Sequence, residues 1–276
     1  MAQSIPLEND ALNTSLVSRQ GFTITNNHGE KIVSLLHETG SKKLVILCHG
    51  FRSSKEDEII VNLGAAITSK GLSVVSFDFS GNGESEGAFE YGNYWKEVED
   101  LHSIVMHFSK QKYEISAIVG HSKGGDVVLL YASKYRDVHT VINLSGRFAL
   151  ERGIERFLGE DFLQRIKKDK FTDVTDRKGT YRVTEESLMD RLNIDMRAAC
   201  LSIENGCRVF TVHGSADETI PVEDAFEIAK LISNHKLHII EGANHCYTKH
   251  QEELANVVVD FLTSNKVEDV TAVVEP

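Results

Sequence analysis

The stretch Ile118-Val119-Gly120-His121-Ser122-Lys123-Gly124-Gly125 constrains this chain more than any other. A largely apolar run from Ile115 to Val119 leads into it, and Val127-Val128-Leu129-Leu130-Tyr131 follows. The pattern predicts a strand that runs through Gly-x-Ser-x-Gly directly into a helix. So sharp a reversal brings the strand and helix backbones together and leaves no room for side chains at positions 120 and 124. Ser122 is then held at the tip of the turn with its hydroxyl facing a cleft, the arrangement of a nucleophile elbow.

The rest of the chain alternates in the same way. Phe22–Thr25 and Lys31–Leu36 flank a Gly29 turn and predict a hairpin. Leu44–Cys48 is a continuous apolar run, as expected of a strand covered on both faces. Helical spacing over residues 57–70, a strand at Ser73–Phe77 and a helix at Trp95–Phe108 lead up to the elbow. After the elbow helix come strands at Val138–Leu144, Arg208–His213 and Leu237–Ile240, with helices at Val222–Ile232 and Thr248–Thr263. Strands alternating with helices imply a mainly parallel α/β sheet with helices on both faces. Residues 17–146 and 198–264 are assigned to that core. Residues 1–16 are read as a flexible arm and residues 265–276 as a flexible tail. Between them, residues 147–197 break the pattern: they read as helical, charged and interrupted, with no strand of the core type.

At 276 residues the chain can bury a large core in one unit. Its 41 acidic and 30 basic residues give a formal charge of −11 with no basic patch, which argues against a nucleic-acid partner. The four cysteines follow neither a disulfide framework nor a zinc spacing, Cys48 reads as a buried thiol, and a reducing, cytoplasmic location is expected. No apolar run reaches the length of a membrane span, and the N-terminal residues lack a signal pattern. Gly81 and Gly83 do not make a dinucleotide site, because no third glycine opens a helix after them.

Sites in parallel α/β sheets lie at the carboxyl ends of the strands. A serine nucleophile needs a base there, and the base needs an orienting acid. Asp217 follows the Arg208–His213 strand, and His245 follows the last strand. The order Ser122, Asp217, His245 is that of a hydrolase triad in a parallel sheet. Asp217 is favoured over its neighbour Glu218 as the acid. His238, His121, His213 and His250 read as structural by position. An oxyanion requires backbone donors. These are assigned to the N–H groups of Lys123, with its side chain expected in solvent, and of Phe51, in a loop that His49 buttresses.

Together, His49-Gly50-Phe51, Asp78-x-x-Gly81-x-Gly83-x-Ser85, the elbow, His213-Gly214-x-x-Asp217-x-x-Ile220-Pro221 and Gly242-x-x-His245 resemble the α/β-hydrolase superfamily over residues 20–263. Within it the chain is most similar to the serine-aminopeptidase-like branch, which includes cinnamoyl and feruloyl esterases, monoacylglycerol lipases and plant hydrolase-like proteins. The resemblance implies an eight-stranded, mainly parallel sheet with a helical cap insertion at 147–197. It also implies a serine carboxylic-ester hydrolase acting through an acyl-enzyme on a small-molecule ester, with neither metal nor cofactor. In cinnamoyl esterases the cap holds the phenolic ring with polar groups, and Tyr181 and Asp195 are the candidates for that role here. The cap's apolar residues, Phe148, Phe157, Leu158, Phe162, Phe171, Tyr181 and Leu188, are expected to line the pocket. An acyltransferase, a peptidase or a hydrolase-like ligand sensor on the same triad remain open at this point, as does the oligomeric state. Epoxide and haloalkane hydrolases are set aside, since both need an aspartate where Ser122 stands.

Overall fold

The computed structural model describes residues 17–264; the N-terminal arm and C-terminal tail expected at 1–16 and 265–276 lie outside them. The first hairpin is β1 (Ser18–Thr25) and β2 (Lys31–Glu38), paired antiparallel around the Gly29 turn. There follow β3 (Lys43–Cys48), α1 (Glu58–Ser69), β4 (Ser73–Phe77), α2 (Tyr94–Lys110), β5 (Glu114–His121), α3 (Lys123–Tyr135) and β6 (Thr140–Leu144). After a long insertion the core resumes with α7 (Met196–Ser202), β9 (Arg208–Gly214), α8 (Glu223–Leu231), β10 (His235–Ile240) and α9 (Gln251–Thr263).

Eight strands form one sheet in the order β1-β2-β4-β3-β5-β6-β9-β10. The two pairings that involve β2 are antiparallel and all the others are parallel. Residues 44–48 of β3, all of β4 and the second half of β5 are buried, because helices cover both faces. One face packs on α2, α3 and α7, through residues such as Val98, Leu101, Val128, Tyr131 and Met196. The other packs on α1 and α9, through Ile59, Leu63, Leu254 and Val258. The boundary expected between residues 197 and 198 falls inside α7. Its Met196, Ala199 and Cys200 belong to the main core, so core packing resumes at Met196.

The insertion carries α4 (Ile154–Leu158), α5 (Phe162–Asp169), β7 (Phe171–Asp176), β8 (Gly179–Thr184) and α6 (Glu185–Leu192). It is not wholly helical: β7 and β8 pair antiparallel, with Asp176 opposite Gly179 across a two-residue turn. The alternation Thr172, Val174, Tyr181, Val183 with Gly179 at the turn was the available signal for this hairpin. Its inward residues Tyr181 and Val183 join Tyr91, Ile154, Leu158, Phe162, Ile166 and Leu188 in a small separate core.

Candidate active site

The elbow is as tight as the glycines require. A Cβ on Gly120 would lie 2.0 Å from the carbonyl oxygen of Gly124, and one on Gly124 would lie 2.5 Å from that of His49. Ser122 sits at φ 56°, ψ −121°, a conformation that costs an L-residue about 1–3 kcal/mol and survives only where the surroundings enforce it. The enforcement is visible: Ser122 N–H donates to Leu144 O at 2.8 Å on the neighbouring strand, and Ser122 O accepts from Gly125 N–H at 2.8 Å.

The loops after β9 and β10 are locked to each other. Ala216 N–H donates to Ala243 O at 3.0 Å, Gly242 N–H donates to Ser215 Oγ at 2.8 Å, and Gly214 has no room for a Cβ against Ala243. This joint brings Asp217 and His245 together. His245 Nδ1 lies 2.7 Å from Asp217 Oδ2, and His245 Nε2 lies 3.0 Å from Ser122 Oγ. Asp217 Oδ1 accepts from the N–H groups of Thr219 and Ile220, both at 2.8 Å. Burial pushes its carboxyl up, but hydrogen bonds from His213 and His245 and the Ile220 N–H outweigh that and hold it well below the ordinary carboxylate range. Glu218, the rival acid, is exposed.

Two histidines read as structural touch this chain of residues. His213 Nε2 lies 3.0 Å from Ile220 O and 3.3 Å from Asp217 Oδ2. His121 Nε2–H donates to the backbone carbonyl of His245 at 2.9 Å. Burial, then the neighbouring His245, pushes His121 down to about 4. His49 is likewise pushed down to about 4 by burial. Its Nδ1–H donates to Gly50 O at 2.8 Å, and its Nε2 accepts from Phe79 N–H at 3.1 Å, which ties the loop after β3 to the loop after β4. The loop after β4 is held through Asp78, which pairs with Lys55 Nζ at 2.8 Å and fills the space a Cβ on Gly83 would need.

The backbone around the serine bears on the two donors assigned to it. Lys123 opens α3, so its N–H is among those a helix leaves without an intrahelical partner. A Cβ on Gly50 would stand 3.2 Å from Ser122 Cβ, so the chain entering Phe51 passes against the serine. The Lys123 side chain is not in solvent. It is buried, with Nζ 2.7 Å from Glu97 Oε1 and 4.8 Å from the centroid of Tyr94.

A cleft of about 580 Å³, including its open mouth, adjoins Ser122. Phe51, Tyr91, Tyr181 and Phe157 give it aromatic walls, and Asp126, Arg147 and Arg191 give it charge. Tyr181 lines the cleft, with burial pushing its phenol up to about 12 and its ring edge-on to Phe51 and Phe89. Asp195 does not. It is exposed, outside the cleft, and its carboxylate caps α7 by accepting from Ala198 N–H at 2.9 Å. Of the other apolar residues expected in the pocket, only Phe157 lines it. Leu158, Phe162 and Leu188 pack inside the insertion, Phe148 packs on the main core, and Phe171 is largely exposed. Among the described residues no cluster of side chains has the make-up of a metal site, and no helix is long and apolar enough to cross a membrane. All four cysteines are free, with Cys48 buried as expected and Cys246 exposed.

Comparison with known proteins agrees with this fold. A model of the serine aminopeptidase S33 family matches residues 39–172. The structure of Est1E from Butyrivibrio proteoclasticus with ferulic acid bound superposes with a TM-score of 0.76 at 26% identity, covering 87% of this chain and 97% of that one. The chain is a member of the α/β-hydrolase superfamily. Among curated relatives, an uncharacterized protein of Saccharomyces cerevisiae is 26% identical over 228 residues, 74% of this chain and 69% of that protein. The monoacylglycerol lipase ABHD6 of Mus musculus is 22% identical over 268 residues, 82% of this chain and 77% of that one.

Proposed function

We propose that this α/β-hydrolase is a serine hydrolase that cleaves a small or medium carboxylic ester through an acyl-enzyme. The observation that carries the proposal is the hydrogen-bonded line from Asp217 through His245 to Ser122, at 2.7 and 3.0 Å, opening on a cleft. In the reaction, His245 Nε2 takes the proton of Ser122 Oγ as that oxygen attacks the ester carbonyl. The imidazolium then returns the proton to the departing alcohol. Asp217, held ionised, keeps Nδ1 protonated so that Nε2 faces the serine, and it stabilises the imidazolium. The N–H groups of Lys123 and Phe51 receive the oxyanion. Water then enters, His245 repeats its two roles, and the acid leaves. Residues 147–197 act as the cap, and through Phe157 and Tyr181 they set which esters fit.

The relatives support a choice of ester class: ferulic acid is bound in Est1E, and ABHD6 is a monoacylglycerol lipase. A cinnamoyl- or feruloyl-type ester or an acylglycerol is the substrate class these support. The test is a panel of 4-nitrophenyl esters of increasing chain length, beside methyl ferulate and a monoacylglycerol, run with wild type and Ser122→Ala. Hydrolysis by wild type and a loss of about 10⁴-fold or more in a folded Ser122→Ala protein are expected. Near-normal turnover by the variant would refute the assignment.

A further inference from the structure

Two guanidinium groups stand in the wall of the cleft without a counter-ion. Arg147 is 6% exposed and Arg191 is 9% exposed, and both line the cleft that contains Ser122. Arg147 donates to two backbone carbonyls, Nη1 to Arg152 O at 3.2 Å and Nη2 to Thr219 O at 2.6 Å. Arg191 donates from Nε to Leu150 O at 3.0 Å and from Nη1 to the Tyr94 hydroxyl at 2.5 Å. All four acceptors are neutral. Among the described residues, no carboxylate oxygen lies within 4.0 Å of either guanidinium.

That is an unusual state for a buried charge, which is costly to keep unless it is paired. Each guanidinium has five N–H donors. Among the described residues Arg147 Nε and Arg191 Nη2 have no partner, yet neither is sealed from solvent, and the cleft is the space both residues face. The carboxylate that lines the cleft with them is Asp126. It lies in the same wall and accepts from Arg147 N–H at 2.6 Å, but it makes no ion pair with either side chain, and burial pushes its carboxyl well up. Beside the cations the wall is flat and aromatic: the Arg191 guanidinium lies 5.1 Å from the centroid of Tyr91, with Tyr181 and Phe157 completing the surface.

We propose that Arg147 and Arg191 bind a carboxylate that the substrate carries away from its scissile ester. The inference rests on the ester-hydrolase reading and names its substrate class: an anionic ester with a flat or apolar stem. A planar carboxylate matches the forked donors of arginine.

Two matched pairs of esters test this. Mono(4-nitrophenyl) adipate against 4-nitrophenyl heptanoate places the charge on the acyl side. 4-Acetoxybenzoate against 4-acetoxybenzamide places it on the alcohol side. In wild type, the anionic member of at least one pair is expected to have a kcat/KM about tenfold or more above its neutral partner, the worth of one charge-assisted hydrogen bond. Arg191→Gln should lower that ratio about tenfold, and Arg191→Lys should keep part of it. Arg147→Gln should act in the same direction. Since Arg147 also holds two loop carbonyls, its variant is checked by circular dichroism, and the Arg191 pair carries the test if it is unfolded. A preference for the neutral member in both pairs, or a ratio that neither Arg191 variant moves, overturns the proposal. If wild type hydrolyses none of the four, the ester reading fails by itself. Calorimetric titration of Ser122→Ala with the same esters then decides the anion site. Tighter binding of an anionic ester that Arg191→Gln weakens tenfold sustains it, and equal binding of both members overturns it.

Discussion

His121 Nε2–H is bonded to the carbonyl oxygen of His245 at 2.9 Å, so the residue before the elbow serine holds the loop that carries His245. His121→Ala is expected to lower kcat about tenfold with little change in KM, because a misplacement of order 1 Å is enough to cost rate. His121→Gln, which keeps a side-chain N–H donor, should recover part of the loss. Equal rates for wild type and both variants would remove His121 from this role.

The acid can be tested against its neighbour. Asp217→Asn should leave the fold intact and lower kcat by about 10⁴-fold, since the amide favours the wrong imidazole tautomer. Glu218→Gln should stay within about twofold of wild type, because Glu218 is exposed while Asp217 meets His245 at 2.7 Å. A larger loss from the Glu218 change would mean that the acid is misassigned.

Ser122 carries backbone strain at φ 56°. Glycine relieves it and alanine does not. Urea denaturation should therefore find Ser122→Gly more stable than Ser122→Ala by about 1 kcal/mol or more. A less stable glycine variant would show that the turn imposes no strain.

The buried pair of Lys123 and Glu97 makes a further prediction about stability. Lys123→Met leaves a buried carboxylate without its partner and should cost about 3–5 kcal/mol. Burial already pushes the Glu97 carboxyl up despite Lys123. Adding Glu97→Gln to Lys123→Met should restore a large part of the loss, which a double-mutant cycle would read as strong coupling. Additive losses would contradict a direct pair.

Acid should weaken the fold in a defined window. His49 and His121 titrate near 4 in the folded protein and near 6.5 when unfolded. Between those values the unfolded chain binds protons that the folded chain does not. Stability is therefore intact above pH 6.5 and is lost as the pH falls toward 4, by about 3 kcal/mol for each ring. Equilibrium unfolding of wild type and His121→Gln across this range should show a shallower slope in the variant, by close to one proton.

Most of the sheet was legible because its central strands are covered on both faces and read as apolar runs, unbroken in Leu44–Cys48 and interrupted only by Ser76 after the opening serine of Ser73–Phe77. The line from Asp217 to Ser122 was legible because each member follows a strand, and strand ends converge on one edge of a parallel sheet. What stayed hidden depends on side chains that meet only in three dimensions. Lys123 looked solvated, since its partner Glu97 lies 26 positions away on another helix. Asp195 looked like a binding residue, yet an aspartate before a short helix serves equally well as a cap. Arg147 and Arg191 sit in a stretch rich in charge, and no spacing in such a stretch marks the two that turn inward. The β7–β8 hairpin was obscured because its outward faces carry acids and basic residues, such as Asp173 and Arg182, that also suit a helix surface.

Arg52 adjoins Phe51, and it grips the tip of the β7–β8 hairpin. It pairs with Asp176, donates to the carbonyls of Lys178 and Gly179 at 3.3 Å each, and lies 4.5 Å from the Tyr181 ring centroid. Lys178 Nζ returns the contact to Arg52 O at 2.7 Å. The loop beside the serine and the far end of the insertion are thus one mechanical part, although 126 residues separate Arg52 from Lys178. For anyone recombining hydrolases of this architecture, the natural unit of exchange is consequently discontinuous. A foreign insertion placed at 147–197 would arrive without its clasp unless residues 51 and 52 travelled with it.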